Sequence, residues 1–204
     1  MTARTGDGAD RGGRSELRRP GGDPGEVAVL GSARLGADDP AWAVASDVGA
    51  GLARAGATVV TGGYGGLMAA AAAGAVSAGG RVVGLPMRAW THLEPDPQLT
   101  ELRWAASYAE RLAILLACRA VVAIDGGVGT LSELAVVWAA AQTEPGAPTV
   151  VAVGARWRSL LDALVRSLVA GDEDFALVRW APDAATAVAL ALDAPNSSPL
   201  GARG

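Results

Sequence analysis

The stretch VVAIDGGVGTLSEL at residues 121–134 decides how the rest of the chain is interpreted. Its first four residues are apolar and mostly β-branched, which is typical of a buried strand, and glycines then make a turn. Residues 130–141 follow with the pattern of a helix. Unpaired amide groups and the positive end of a helix dipole converge where such a turn enters a helix. The stretch therefore predicts a site for a phosphate or another oxyanion.

The composition indicates one soluble, globular α/β domain. The chain has 204 residues, of which 50% are hydrophobic, 19% are charged and 28 are glycine. This length allows one well-buried domain, and the low charge suits a sheet that is covered on both faces. No apolar run reaches the roughly 18 residues of a membrane span, and the N-terminus lacks the apolar core of a signal peptide. We therefore expect a cytoplasmic protein without a membrane partner.

Missing residue types exclude several chemistries. All 17 basic residues are arginine, so neither a lysine Schiff base nor a Walker-type lysine is available. A single cysteine, Cys118, and a single histidine, His92, exclude an internal disulfide and a histidine or cysteine metal cluster. We expect no cofactor and no metal. The net charge of −4 argues against nucleic acid as a partner.

Strands and helices alternate along the chain. This order predicts a Rossmann-like, three-layer αβα fold around a mostly parallel central sheet, with a ligand at the carboxyl ends of the strands. The glycine-, proline- and arginine-rich residues 1–25 and residues 194–204 are predicted to be disordered tails around one domain at 26–193. The predicted strands are 27–30, 58–61, 81–85, 99–104, 121–124, 149–153 and 175–180, and the predicted helices are 40–54, 69–78, 108–119, 130–141, 157–169 and 182–192.

Two glycine-rich turns follow strands and precede helices, GGYGG at 62–66 and GGVG at 126–129. Neither has the glycine spacing of the dinucleotide fingerprint, and no acidic residue closes the second strand to hold a ribose. Each turn alone is weak evidence, because such turns also occur in folds that bind nothing. A shorter turn at 31–32 closes the first strand and could face the same ligand.

Taken together, GGYGGLM at 62–68, Glu110-Arg111 and GGVGTLSE at 126–133 resemble the LOG family. These are the cytokinin-activating phosphoribohydrolases once misnamed lysine decarboxylases, and the similarity extends from about residue 27 to about residue 169. The resemblance implies a Rossmann-like homodimer that hydrolyses the N-glycosidic bond of a nucleoside 5′-monophosphate. The products would be a free base and ribose 5-phosphate, and the small-molecule partner would be a nucleotide.

The resemblance also implies roles for single residues, with Glu133 and Arg111 as the catalytic pair. Cleavage of a ribosyl C–N bond develops positive charge on the sugar, which a carboxylate can stabilise, or the carboxylate can draw a proton from water. A guanidinium matches a phosphate or a departing base. The expected substrate- and phosphate-binding residues are Gly31, Ser32, Gly62, Gly63, Gly65, Gly66, Met68, Asp125, Gly126, Gly127, Gly129 and Thr130.

Simpler interpretations and a second function stay open. Thr130 and Glu133 have the spacing of a helix capping box, and Arg111 alone could be a solvated helix residue. The chain has Asp125 where the family usually has proline, and Leu112 where lysine follows the arginine. A carboxylate at residue 125 repels phosphate unless it points at sugar hydroxyls. In this respect the motif is more similar to relatives described as nucleotide-binding or molybdenum-cofactor carrier proteins, which bind a phosphorylated ligand without necessarily cleaving it.

Two helices are candidates for the interface of the implied homodimer. One is the alanine-rich helix after Met68 and the other is the helix that bears Trp138, although close packing within the chain would also explain the alanines. Residues 86–97 form a predicted loop over the site. Its His92 is expected to be an exposed loop residue, with base stacking or proton donation as the alternative for His92 and Trp90.

Overall fold

The structure is a computed structural model that describes residues 25–193, so the two predicted tails lie outside the described residues except for Gly25. The described strands are β1 (Glu26–Leu30), β2 (Thr58–Thr61), β3 (Val82–Gly84), β4 (Glu101–Leu102), β5 (Ala120–Ala123), β6 (Thr149–Val153) and β7 (Val178–Ala181). The described helices are α1 (Pro40–Arg54), α2 (Leu67–Ser77), α3 (Tyr108–Leu116), α4 (Val128–Thr143), α5 (Ala155–Ser167), α6 (Asp172–Phe175) and α7 (Ala184–Leu192).

All seven strands form one parallel sheet in the order β4-β3-β2-β1-β5-β6-β7. The chain moves outward from β1 through β2, β3 and β4, then returns to place β5 on the other side of β1. Val29 lies opposite Val122 in this central pair. The strand order reverses between β1 and β5, which is where open α/β sheets hold ligands at the carboxyl ends of their strands. The predicted Rossmann-like αβα fold is confirmed.

The core lies on both faces of the sheet. Val122 packs on the face that α1, α2 and α7 cover, whereas its neighbour Val121 packs on the opposite face with α4 and α5. Because both faces are covered, successive residues within β1, β2, β3, β5 and β6 are mostly apolar rather than alternating with polar ones. This explains why the short apolar runs were recognisable as strands. In the part of the chain that the structure describes, no helix is both long and apolar enough to cross a bilayer.

Helices α1 and α2 cross with their backbones in contact. A Cβ atom on Gly49 would lie 2.0 Å from the carbonyl oxygen of Ala71, and one on Gly74 would lie 1.9 Å from that of Ser46. The alanine-rich helix is therefore buried against α1 and the sheet, and only Val76 and Ser77 are exposed along it. Close packing within the chain accounts for the small residues of this helix, so they are no evidence for a dimer interface, which stays a prediction.

Some predicted boundaries also change. Helix α4 begins at Val128 rather than residue 130, because Gly127 takes the N-cap position in an extended conformation. Helix α3 ends at Leu116, so Cys118 lies in the following turn rather than in a helix. Its thiol is buried and donates to the carbonyl of Ile114. The last strand begins at residue 178, since 172–175 form the short helix α6, where the Asp174 carboxylate accepts the amide of Gly171.

Candidate functional site

Three turns meet where β1 and β5 end. The amide of Ser32 donates to the carbonyl of Asp125 at 2.9 Å, and the amide of Leu67 donates to the carbonyl of Ser32 at 2.8 Å. Gly66 has φ +70°, and a Cβ there would lie 2.2 Å from the Ser32 carbonyl oxygen, so the approach requires glycine. The structure thus brings the turn at 31–32, the first glycine turn and the second glycine turn to one edge of the sheet.

The second glycine turn leads into an uncapped helix N-terminus. Gly127 provides no side-chain cap, and the first helical bond runs from the amide of Leu131 to the carbonyl of Gly127 at 2.9 Å. The amides of residues 128–130 therefore have no acceptor within the helix. Gly126, Gly127 and Gly129 are exposed, whereas the Thr130 side chain is buried behind the turn. This geometry suits an anion, because free amides and the helix dipole point at one place.

Glu133 and Arg111 form a buried ion pair. Nε of Arg111 donates to Oε1 of Glu133 at 2.7 Å, and the two side chains are only 6% and 8% exposed. Glu133 does not cap the helix, because Thr130 lies inside the first turn, and Arg111 is not a solvated surface residue. Both simpler interpretations of these residues are wrong.

Protein acceptors hold the guanidinium of Arg111 through its Nε and Nη1 groups. Its Nη1 donates to the carbonyls of Gly62 and Leu85, and its Cζ lies 5.8 Å from the centre of the Trp90 ring. A Cβ on Gly62 would lie 2.8 Å from Nη2 and 2.5 Å from Sδ of Met68. The missing side chain at Gly62 thus makes room for both Arg111 and Met68. Among the described residues, the carboxylate of Glu133 accepts a hydrogen bond only from Arg111, through Oε1. Its Oε2 therefore keeps lone pairs for a ligand.

The rest of the first glycine turn is tied down by aromatic residues. Gly63 is buried with φ +84°, while Gly65 is exposed. The hydroxyl of Tyr64 accepts the amide of Met87 at 2.9 Å, and the Tyr64 and Trp90 rings lie 5.8 Å apart. His92 is exposed, as predicted, and lies with Met87 and Trp90 in the loop at 86–97. In residues 25–193, no group of three histidine, cysteine or carboxylate side chains is placed to hold a metal ion.

A cleft of about 150 Å³ opens on the α5 side of the second glycine turn. It is lined by Asp125, Gly126, Gly127, Leu131, Arg156, Trp157 and Leu160. Nη1 of Arg156 contacts Oδ2 of Asp125 at 2.7 Å, and its Nη2 contacts Oδ2 of Asp39 at 3.4 Å. The expected repulsion between Asp125 and a phosphate is therefore opposed by a neighbouring cation.

These contacts also affect ionisation. The two carboxylates, Asp125 first, raise the pKa of Arg156. The pKa of Asp39, the N-cap of α1, is lowered by the amide of Ala41 and then by Arg156. Sequence reasoning missed Arg156, because it belongs to no motif. The available signal was its position in the first turn after β6, since that places it beside the end of β5 once the strand order is known.

Comparison with known proteins finds relatives in sequence and in fold. An uncharacterized protein of Archaeoglobus fulgidus is 31% identical over 113 residues, which cover 54% of this chain and 72% of that protein. The molybdenum cofactor carrier protein of Chlamydomonas reinhardtii has a similar structure, with a TM-score of 0.62 and 24% identity over 80% of this chain and 93% of that one. The molybdenum cofactor binding protein of Rippkaea orientalis gives a TM-score of 0.65 and 21% identity over 81% and 93% of the two chains.

At these identities the solved structures establish the fold alone. The family is established by sequence, because the model of the SLOG cluster4 family matches residues 25–144, which is more than half of the chain. The matched region contains both glycine turns, Arg111 and Glu133, the residues on which the resemblance to the LOG family rests. The protein therefore belongs to the SLOG cluster4 family, within the LOG-like group of Rossmann-like proteins.

Proposed function

We propose that this protein hydrolyses the N-glycosidic bond of a nucleoside 5′-monophosphate, such as AMP or a cytokinin riboside monophosphate, to a free base and ribose 5-phosphate. The observation that carries this proposal is the buried pair of Glu133 and Arg111, joined at 2.7 Å. A carboxylate at that depth needs a partner, and Arg111 holds it in a fixed orientation. Glu133 also lies on α4, the helix whose N-terminal amides have no acceptor within the helix.

The proposed chemistry divides the site into two parts. The amides of residues 128–130 and the exposed glycines bind the 5′-phosphate, and Oε2 of Glu133 faces the ribose. As the C–N bond breaks, the carboxylate stabilises the positive charge on the sugar and accepts a proton from the attacking water. The water oxygen forms the new bond to the anomeric carbon, and the proton that Glu133 accepted passes to the departing base, which restores the carboxylate. Arg111 acts through Glu133 and is a positioning residue.

The proposal includes a homodimer formed by the outer faces of α3 and α4. The hydroxyls of Tyr108 and Ser132 lie 2.8 Å apart and join the two helices into one surface. Exposed apolar residues recur along α4 at helical spacing, which leaves a stripe without a partner in the described chain. The stripe consists of Val128, Leu131, Ala135, Val136 and Ala139 on α4, beside Ala109 and Ala113 on α3.

A second candidate function is the carriage of a phosphorylated ligand without turnover. Two similar folds are described as molybdenum cofactor carrier or binding proteins, and this supports the carrier interpretation. The protein contacts around Arg111 are equally compatible with it, because they hold Glu133 still whether or not a bond is broken.

The decisive experiment compares turnover with binding. The purified protein is incubated with AMP and with isopentenyladenosine monophosphate, and free base and ribose 5-phosphate are measured by chromatography. We expect Glu133→Gln to lose about 10²–10⁴-fold in kcat while it still binds AMP. The matched control is Glu144→Gln, which changes an exposed glutamate at the other end of α4 and should leave kcat unchanged. Stoichiometric binding without free base in the unaltered protein would instead establish the carrier function.

A further inference from the structure

The cleft beside the second glycine turn contains a charged residue that the proposed mechanism does not use. We propose that Arg156 binds the phosphate group of the ligand directly, and that Asp125 and Asp39 hold its guanidinium over the cleft until the ligand arrives. This inference rests on the proposed function, since it names a further binding residue of the same site. It also accounts for a carboxylate, Asp125, in place of the usual proline.

The position of Arg156 follows from the sheet order. Helix α5 begins after β6, the neighbour of β5, so its first turn lies at the same sheet edge as Gly126 and Gly127. All three residues line the same cleft. A phosphate on the exposed amides of α4 would therefore have a guanidinium on its α5 side and Glu133 on the side of β2, where Arg111 meets Gly62.

The guanidinium has donors to spare. It has five N–H groups, and the contacts with Asp125 and Asp39 use one each. The Arg156 side chain is 62% exposed, whereas the two carboxylates beside it are 15% and 18% exposed. Arg156 can thus keep its anchor on Asp125 and present a fork of N–H groups to phosphate oxygens, a geometry that arginine favours.

Charge balance indicates why both carboxylates matter. In residues 25–193, the buried Oδ1 of Asp125 has no hydrogen-bond partner. The other oxygen, Oδ2, accepts a hydrogen bond from Arg156, which neutralises the carboxylate. An incoming phosphate would face two carboxylates if Arg156 were removed. The alternative is that Arg156 only neutralises the two carboxylates and never contacts the ligand. These two roles make different predictions for Arg156→Gln in a protein that lacks both carboxylates.

The test is a binding cycle on the full-length protein, measured by calorimetry with AMP and with adenosine. We expect Arg156→Gln to weaken AMP binding at least about tenfold and to leave adenosine binding unchanged. If Arg156 contacts the phosphate, Arg156→Gln will weaken AMP binding again when Asp39→Asn and Asp125→Asn are already present. If that triple variant binds AMP as tightly as the Asp39→Asn, Asp125→Asn protein, Arg156 only neutralises the two carboxylates and the inference is overturned.

The matched control is Arg158→Gln. Arg158 lies on the same helix, pairs with Asp162 and packs on Trp180, away from the cleft, so AMP binding should not change. The outcome is separable from that of the proposed function. An Arg156-dependent binding of AMP without hydrolysis would support this inference and refute the hydrolase. Hydrolysis of AMP with the same KM in Arg156→Gln would support the hydrolase and refute this inference.

Discussion

The Nε atom of Arg111 lies 2.7 Å from Oε1 of Glu133, and this bond joins α3 to α4 across the edge of the sheet. The arginine is also fixed to the ends of β2 and β3 through the carbonyls of Gly62 and Leu85. One buried side chain thus connects two helices and two strands at the candidate site. Such a pair is costly to break from one side, because the remaining charge is left buried.

We expect the single variants Glu133→Leu and Arg111→Met each to lower the free energy of unfolding by about 3–5 kcal/mol. The double variant should lose much less than the sum of the two, since neither charge is left alone. Urea unfolding of the four proteins measures the coupling. The control is Arg81→Ala, which breaks an exposed ion pair with Glu101 and should change the free energy of unfolding little. Additive losses in the cycle would contradict the pairing.

The α1–α2 crossing predicts a strong effect of a single methyl group. Gly74→Ala places a Cβ where the Ser46 carbonyl oxygen lies, so the helices must separate. We expect a loss of about 1–3 kcal/mol in the free energy of unfolding, although alanine is the better helix former. Val76→Ala, at an exposed position of the same helix, is the control and should change stability little. An unchanged or higher stability of Gly74→Ala would show that the helices do not touch as described.

Asp39 gives a prediction for acid stability. Its pKa is lowered in the folded protein by the Ala41 amide and by Arg156. The Asp39 carboxylate therefore stabilises the fold fully when the pH is above its ordinary pKa of 3.8. That contribution is lost as the pH falls through the lowered pKa. Asp39→Asn keeps a capping oxygen without the charge, and we expect its stability to fall less on acidification. Urea midpoints at neutral and acidic pH measure this, and parallel losses in both proteins would refute it.

Cys118 gives the opposite pH dependence. Burial raises the pKa of its thiol from 9.0 to about 12, so the neutral form is favoured in the folded protein. The contribution of Cys118 to stability is complete below its unfolded pKa and is lost as the pH rises through the folded value. We expect iodoacetamide to leave the native protein unmodified at about pH 8 and to alkylate it in urea. Mass spectrometry checks this, and rapid labelling of the native protein would contradict the burial.

A charged side chain placed on the apolar stripe of α4 tests the proposed dimer interface. Val136 is 36% exposed on the apolar stripe of α4, and Val136→Glu should shift the protein from dimer to monomer in sedimentation velocity. Val165→Glu, at a 47% exposed position on α5 outside the stripe, should leave the oligomeric state unchanged. A monomeric unaltered protein would refute the proposed dimer, and loss of the dimer only in the control would place the interface elsewhere.

The strands were predictable because their signal is local. Strands β2 and β6 match the predicted 58–61 and 149–153 at both ends, since each is a short apolar run between turns. The start of α4 was not predicted, because Gly127 caps the helix without a side chain and Gly129 lies inside it. A glycine-rich helix start has the same sequence pattern as a turn.

The candidate site was only partly predictable for a similar reason. Arg111 and Glu133 were singled out by motifs, but their direct contact depends on how α3 and α4 pack. The role of Asp125 could not be understood without Arg156, which is 31 residues away in sequence. Only the strand order places the two residues side by side.

The parallel pairing of β1 with β5 has a consequence for how the chain folds. Val27 lies beside Ala120, so about ninety residues must be ordered or looped out before this ladder can close. During synthesis, β1 can pair with β2 early, while β5, its neighbour on the other side, has not yet left the ribosome. We therefore expect the ligand crevice to be the last part to form and the rate-limiting closure in refolding, since non-local contacts are slow to make.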